Sequence, residues 1–330
     1  MENPRRMHSL FWPILLVGVG ITWLLVNLGI IPAFNPVMLF KLWPIILIVL
    51  GFDMILGRRY PWAGSLIGLL AVAGIVTFLI MSPKLGYTPA AQTQTETFTE
   101  LVGDATSSKI FLESSSAAVK VKPLSTGDEL VHAVITHRSI FNFDVSGTSD
   151  RYVRMSETSN STNWLSWDFT ADRLAWDIGL AQDIPTEFIL NGGSGKLDVD
   201  LSSIDLTSLK ADLGSGASDF ILPAVKTEYT AEIDSGSGSV KIVILDGATL
   251  TLELSGGSGA VNVSLPKDAE FEIEVFDDGS GSLSIPPGLL KVGGGTGLSL
   301  GVWQTAGFDT ADAKIIIKIM DQGSGSINIH

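Results

Sequence analysis

Asp198 and Asp219 are the residues in this chain best placed to do chemistry together. Each lies three residues after the last glycine of a Gly-Ser-Gly triplet, and the two are 21 residues apart. If successive triplets mark successive layers of a stacked fold, the two carboxylates lie one above the other at strand spacing, ~5 Å. A pair so placed could share a proton as an acid–base couple or hold a cation. The next residue in phase is Lys241, whose charge would neutralise them. A solvated polar ladder is therefore the expectation. Polysaccharide cleavage by Asp198 and Asp219, as in a carbohydrate-active β-helix enzyme, is the lesser alternative.

Other routes to chemistry are thin. The histidines are His8, His132, His137 and His330. His132 and His137 are five apart in a strand-like stretch, which puts them on opposite faces and makes them a poor metal pair. There is no cysteine, so no disulfide, thiolate metal site or cysteine nucleophile exists. GGSGKLD at 192–198 has its aspartate one place too late for a calcium-binding nonapeptide repeat, and the period is wrong. No Ser-His-Asp or metal-ligand constellation can be assembled. The chain reads as a non-enzyme with no cofactor and no metal.

The elements that would position these aspartates repeat on a fixed interval. Triplets bounded by Gly193 and Gly195, Gly214 and Gly216, Gly236 and Gly238, Gly257 and Gly259, and Gly279 and Gly281 begin 21, 22, 21 and 22 residues apart. A sixth, Gly323 to Gly325, follows after 44, with the skipped triplet expected near Gly301. Counted from the last glycine, positions +2 and +4 are apolar in eleven of twelve cases, from Leu197 and Val199 to Ile327 and Ile329. The +3 positions are all polar. That is period-2 alternation, one face in and one out. A unit of about 22 residues cannot bury its own face, but stacked copies can.

The expected fold is a single-stranded parallel β-helix, or β-solenoid, with the twelve glycines as structural turn residues. An antiparallel sandwich explains the alternation but not the fixed period. SSAAVKVKPL at 115–124 reads as a degenerate coil with Ser for Gly. Residues 137–185, with Trp164, Trp167 and Trp176, read as a hydrophobic cap or early coils. The final strand stops at Ile329-His330, which predicts an open C-terminal edge unless 314–320 or another chain covers it.

The N-terminal part differs in kind. Three apolar runs, about 10–31, 39–57 and 62–81, predict three membrane-spanning helices at ~20 residues per span. Residues 1–83 hold five basic and two acidic residues, a net charge of +3. Residues 84–330 hold 16 basic and 33 acidic residues, a net charge of −17, which argues against nucleic acid or anionic lipid as partners of that part. Arg5 and Arg6 precede the first run, and Arg58 and Arg59 separate the second from the third. The positive-inside rule then puts the N-terminus in the cytoplasm and the β-domain outside it. Gly18, Gly20, Gly51, Gly64, Gly68 and Gly74 would allow close helix contacts. The expected organisation is a transmembrane domain over 1–82, a polar linker over 83–100 and a β-domain over 101–330.

FWPILLVGVG at 11–20 and LWPIILIVLG at 42–51 repeat each other, with Trp-Pro in register. These segments resemble the LiaI/LiaF-type transmembrane region of bacterial envelope-stress proteins. WDIGLAQDIPTEFILNGGSGKLDVDLSSIDLTSLKADLGSG at 176–216 and WQTAGFDTADAKIIIKIMDQGSGSINI at 303–329 resemble the toast-rack, adhesin-like β-domain often fused to it. The resemblance implies a membrane-anchored cell-envelope protein acting through protein contacts. Its partners would be the lipid bilayer, a membrane sensor kinase or a cell-wall component, and another copy at the C-terminal edge. An adhesin-like, self-associating scaffold is the alternative. No catalytic motif comes with the resemblance.

Overall fold

A computed structural model describes residues 11–28, 47–48, 51, 61–81, 93–125, 127–138, 140–158, 174–225, 227–277, 279–294 and 300–330. The helices belong to one unit and the strands to another.

In the helical unit, α1 (Phe11–Asn27) and α2 (Pro61–Met81) carry no acidic or basic residue. They meet where α1 lacks a side chain: a methyl carbon on Gly18 would overlap the side chain of Val72. Thr22 is buried beside this contact, and its hydroxyl donates to the Gly18 carbonyl at 2.8 Å. Gly20, Gly51 and Gly74 face open space and make no such approach. The described side chains of α2 run unbroken only over 66–78. Among the described residues no helix is long and apolar enough to cross a membrane. Apart from residues 47–48 and 51, the second expected span lies outside the described residues.

The β unit is two large mixed sheets facing each other across one core. Among the described residues, the first runs in the order β1 (Gln94–Leu101), β4 (Glu129–His137), β7 (Ala175–Leu180), β3 (Ala118–Pro123), β9 (Leu197–Asp200), β11 (Ser218–Leu222), β13 (Val240–Ile244), β15 (Ala260–Ser264), β21 (Ser326–Ile329), β17 (Ser282–Ser284). The second runs β18 (Leu290–Gly293), β19 (Gly301–Gln304), β16 (Phe271–Val275), β20 (Ile315–Asp321), β14 (Leu250–Ser255), β12 (Tyr229–Asp234), β10 (Leu206–Leu213), β8 (Thr186–Gly192), β2 (Ser107–Ser114), β6 (Asp150–Thr158), β5 (Ile140–Ser146).

The middle of both sheets is parallel and follows the sequence period. Leu197 pairs with Ser218, Ser218 with Val240 and Val240 with Val261. On the facing sheet Leu209 pairs with Ala231, and Tyr229 with Leu250. Because each ladder step is one period, every residue stacks on its own equivalent. The apolar rows close the core, and β13 and β14 alternate strictly, with their apolar positions buried. The SSAAVKVKPL segment supplies β3, which pairs in parallel with β9 one layer below.

Three features depart from the simple stack. First, β1, β4 and β7 join by antiparallel pairing, so one end of the first sheet is a meander. Second, the 44-residue gap is not a coil with a degenerate triplet near Gly301. That stretch instead supplies β18 and β19, which pair antiparallel with each other, and β19 pairs antiparallel with β16. Third, the last strand is not an edge. Strand β21 lies between β15 and β17, and β20 lies between β14 and β16. Neither 314–320 nor another chain covers β21; β17 does, and β17 and β18 are the edges at that end.

Candidate functional site

The outer face of the first sheet holds the expected polar ladder. Asp198 and Asp219 are register partners on β9 and β11. Lys120 pairs with Asp198 on one side, and Lys241 with Asp219 on the other. Lys196 reaches Asp219 at 3.1 Å, and Lys122 reaches Asp177 at 2.7 Å. The row ends in amides, with Asn328 Nδ2 donating to Asn262 Oδ1 at 3.1 Å. The two carboxylates thus stand partly exposed with Lys120, Lys196 and Lys241 around them. Among the described residues no group of acidic or histidine side chains is arranged to hold a metal.

His132 and His137 fall on opposite faces of β4. Exposed His132 faces Thr99 and Glu129, both at 3.3 Å, while His137 is buried against Phe141 and lies 3.8 Å from Glu96. Trp176, 1% exposed, meets Phe141 edge-on at 5.0 Å, and Phe98 contacts Phe141 and Phe143. These rings close the end of the core where the β-domain begins. Trp176 is therefore a capping residue; Trp164 and Trp167 lie outside the described residues.

The triplets form the corner between the sheets. A methyl carbon on Gly216 would run into the Gly195 carbonyl oxygen, one on Gly238 into that of Gly216, and one on Gly259 into that of Gly238. Close approach of stacked backbones, not unusual torsions, excludes side chains there. Only Gly279 and Gly323, at the C-terminal end, take positive φ, of 48° and 68°.

A second column escaped the sequence reading. Two residues before the triplets stand Asn191, Asp212, Asp234, Ser255, Asp277 and Asp321. On the second sheet Asp212 pairs with Asp234, Asp234 with Ser255, and Ser255 with Asp321. Partial burial raises the Asp234 carboxyl above the usual carboxylate range, and the charges of Asp212, Glu232 and Asp321 add to it. Lys210 opposes the rise but is committed to Glu232 at 2.8 Å, which holds its ammonium above the ordinary lysine value. The same period that exposed the triplets carries this signal, at a phase two residues earlier.

An open cleft of about 470 Å³ lies over β2, β5 and β6, lined by Glu113, Asn142, Asp144, Arg154, Ser156, Glu157 and Thr158. Its polar groups satisfy one another. Arg154 pairs with Glu113 at 3.1 Å and stacks 4.8 Å above Phe111, and Asn142 donates to Thr158 at 2.9 Å.

Comparison with known proteins adds the remaining facts. Residues 10–55 match the LiaI-LiaF-like transmembrane region, and residues 88–243 match the N-terminal domain of toast_rack. No curated protein matches the chain. Among solved structures, a "putative cell adhesion protein" from Clostridium sporogenes aligns at 19% identity over 72% of this chain and 99% of its own, with a TM-score of 0.45. A "putative lipid binding protein" from Parabacteroides distasonis aligns at 13% identity over 72% and 97%, with a TM-score of 0.29. A "putative adhesin" from Bacteroides fragilis aligns at 11% identity over 73% and 99%, with a TM-score of 0.24. One polypeptide thus joins a segment similar to the LiaI-LiaF-like transmembrane region to one similar to the toast-rack N-terminal domain.

Proposed function

We propose that this is a multi-pass envelope protein of the bacterial cell membrane that regulates an envelope-stress response by protein contact, not catalysis. The observation that carries the reading is the fusion of the two matched regions in one chain. Three apolar runs supply the membrane part, with the N-terminus cytoplasmic and the β-domain outside. The helices contact a membrane sensor kinase, while the β-domain meets the cell wall or the kinase's own outer part. The parallel ladders, whose register steps equal the sequence period, support a β-solenoid geometry for that domain. A rigid rod of stacked coils suits contact better than turnover, because its outer faces are flat, charged and already internally paired.

Deletion of the gene tests this reading. Output of an envelope-stress kinase reporter should rise without antibiotic and fall back when the full chain is restored. Unchanged output, with and without a cell-wall antibiotic, refutes the regulatory role. Protease added to intact cells should reach residues 93–330; protection until the membrane is opened refutes the topology. A self-associating scaffold is the second reading, favoured by Leu290 and Val292, each 55% exposed on the edge strand β18.

A further inference from the structure

The order of strands at the C-terminal end does not follow the chain. The coil made of β20 and β21 is last in sequence, yet it lies between the coil of β14 and β15 and the coil of β16 and β17. Those two flanking coils are neighbours in sequence. The connection that steps over the inserted coil, 265–270, has six residues, as does 223–228, which joins strands of adjacent coils. The registers are also interchangeable. Leu250 and Phe271 both pair with Ile315, and Val261 and Leu283 both with Ile327. The two flanking coils therefore form the two walls of a slot that residues 315–330 fill.

We propose that this slot is an exchange site that also accepts residues 315–330 of a second copy of the chain, producing a coil-swapped dimer. This goes beyond the regulatory reading and does not depend on it. The donor carries its whole set of contacts with it. Ile315, Ile317, Ile319, Ile327 and Ile329 are at most 2% exposed, and each would meet identical walls in the partner. Within the described residues only the connection 305–314 changes, the low-cost route by which an element exchanges between copies. In the unexchanged chain that connection is tied down where Glu270 accepts from the Gly307 N–H at 3.1 Å and Phe308 is buried. The tether favours self-insertion in dilute solution, whereas confinement of many copies to one surface raises the competing concentration. Five buried isoleucines make later withdrawal slow.

The absence of native cysteine makes the test direct. Val263 and Ile329 are register partners inside the core, so chains bearing V263C and I329C separately can join only if one chain's terminal coil lies in the other. Two differently tagged full-length chains, co-expressed in one membrane and oxidised, should give a heterodimer that vanishes on reduction. Adding Glu270→Ala, which frees the connection, should increase its yield. The surface pair N262C and N328C leaves the core intact and guards against misfolding of the buried variants. A heterodimer from the surface pair alone, when V263C and I329C placed in one chain do link within it, means face-to-face contact without exchange and overturns the proposal. So does intrachain linkage in doubly substituted chains with no heterodimer between singly substituted ones. If neither pair links within one chain, the slot is not formed as described, and the proposal falls with it.

Discussion

The two ends of the β-domain close the same parallel core with one topology and differ in what fills them. At the first end, strands reverse direction: β1, β4 and β7 add antiparallel, and Phe98, Phe141, Phe143 and Trp176 fill the opening with rings. Each end tucks a coil inward, β2 and β3 at the first and β20 and β21 at the other, and the other end also reverses direction at β18 and β19, but what remains outside there is thin. Strand β17 has three residues, and β18 leaves Leu290 and Val292 exposed. A stack of coils has no natural terminus, because each layer offers the next an unpaired edge. Both ends leave edge strands, β1 and β5 with eight and seven residues at the first and β17 and β18 with three and four at the second; rings packed into the core distinguish the first. The first end is thus the more firmly filled, while the second is the more thinly covered.

The sharpest way to break that comparison is to remove a capping ring. Trp176→Ala empties a fully buried indole site, so it should cost about 3–5 kcal/mol and unfold much of the domain in chemical denaturation. Leu290→Lys at the other end should change stability by no more than about 0.5 kcal/mol. Equal losses at the two positions would show that both ends are sealed alike. Next in size is the corner. Gly238→Ala forces a methyl group against the Gly216 carbonyl and should cost about 1–3 kcal/mol by displaced backbone. Gly247→Ala meets no atom within 4 Å and carries only the torsional strain of its φ of 80°, about 1 kcal/mol. If thermal melts rank Gly247 above Gly238, torsion and not close stacking governs these glycines.

The middle of the domain was readable from the sequence because a parallel stack writes its geometry into a period. Each of Leu197, Val240 and Val261 sits at the same phase, and each is buried in the same row. Asp198 and Asp219 were likewise placed correctly relative to each other, and Lys241 beside them. What the period cannot encode is order in space. The coil at 315–329 has the right phase for any position in the ladder, so its insertion ahead of β16 and β17 left no trace in spacing. Reversal at the first end was hidden for a different reason: antiparallel strands share alternation with the coils but no repeat length. The acidic column carries the same period on the strands before the triplets, at a phase that holds no apolar residue to mark it.

That column gives the smallest effect and the one that separates the middle of the stack from its ends. Asp234 has an acidic neighbour on each side, Asp212 beside it and Asp321 beyond Ser255, and its carboxyl is raised chiefly by burial and then by those charges. A carboxyl raised in the folded state binds its proton more tightly there than in the unfolded chain. Its contribution to stability is therefore present below the ordinary aspartate range and is lost as pH rises through the raised value. Asp234→Asn removes that loss. The variant should match the wild type at the acid end of the range where both stay folded, and should exceed it from mildly acidic pH upward. The site is mostly open to solvent, so screening limits the gain to a few tenths of a kcal/mol, about 1 °C in Tm. High salt should shrink only the part due to Asp212, Glu232 and Asp321, and leave the part due to burial. A gain at neutral pH that disappears entirely in salt would make the neighbouring charges, not the packing of the corner, the main cause.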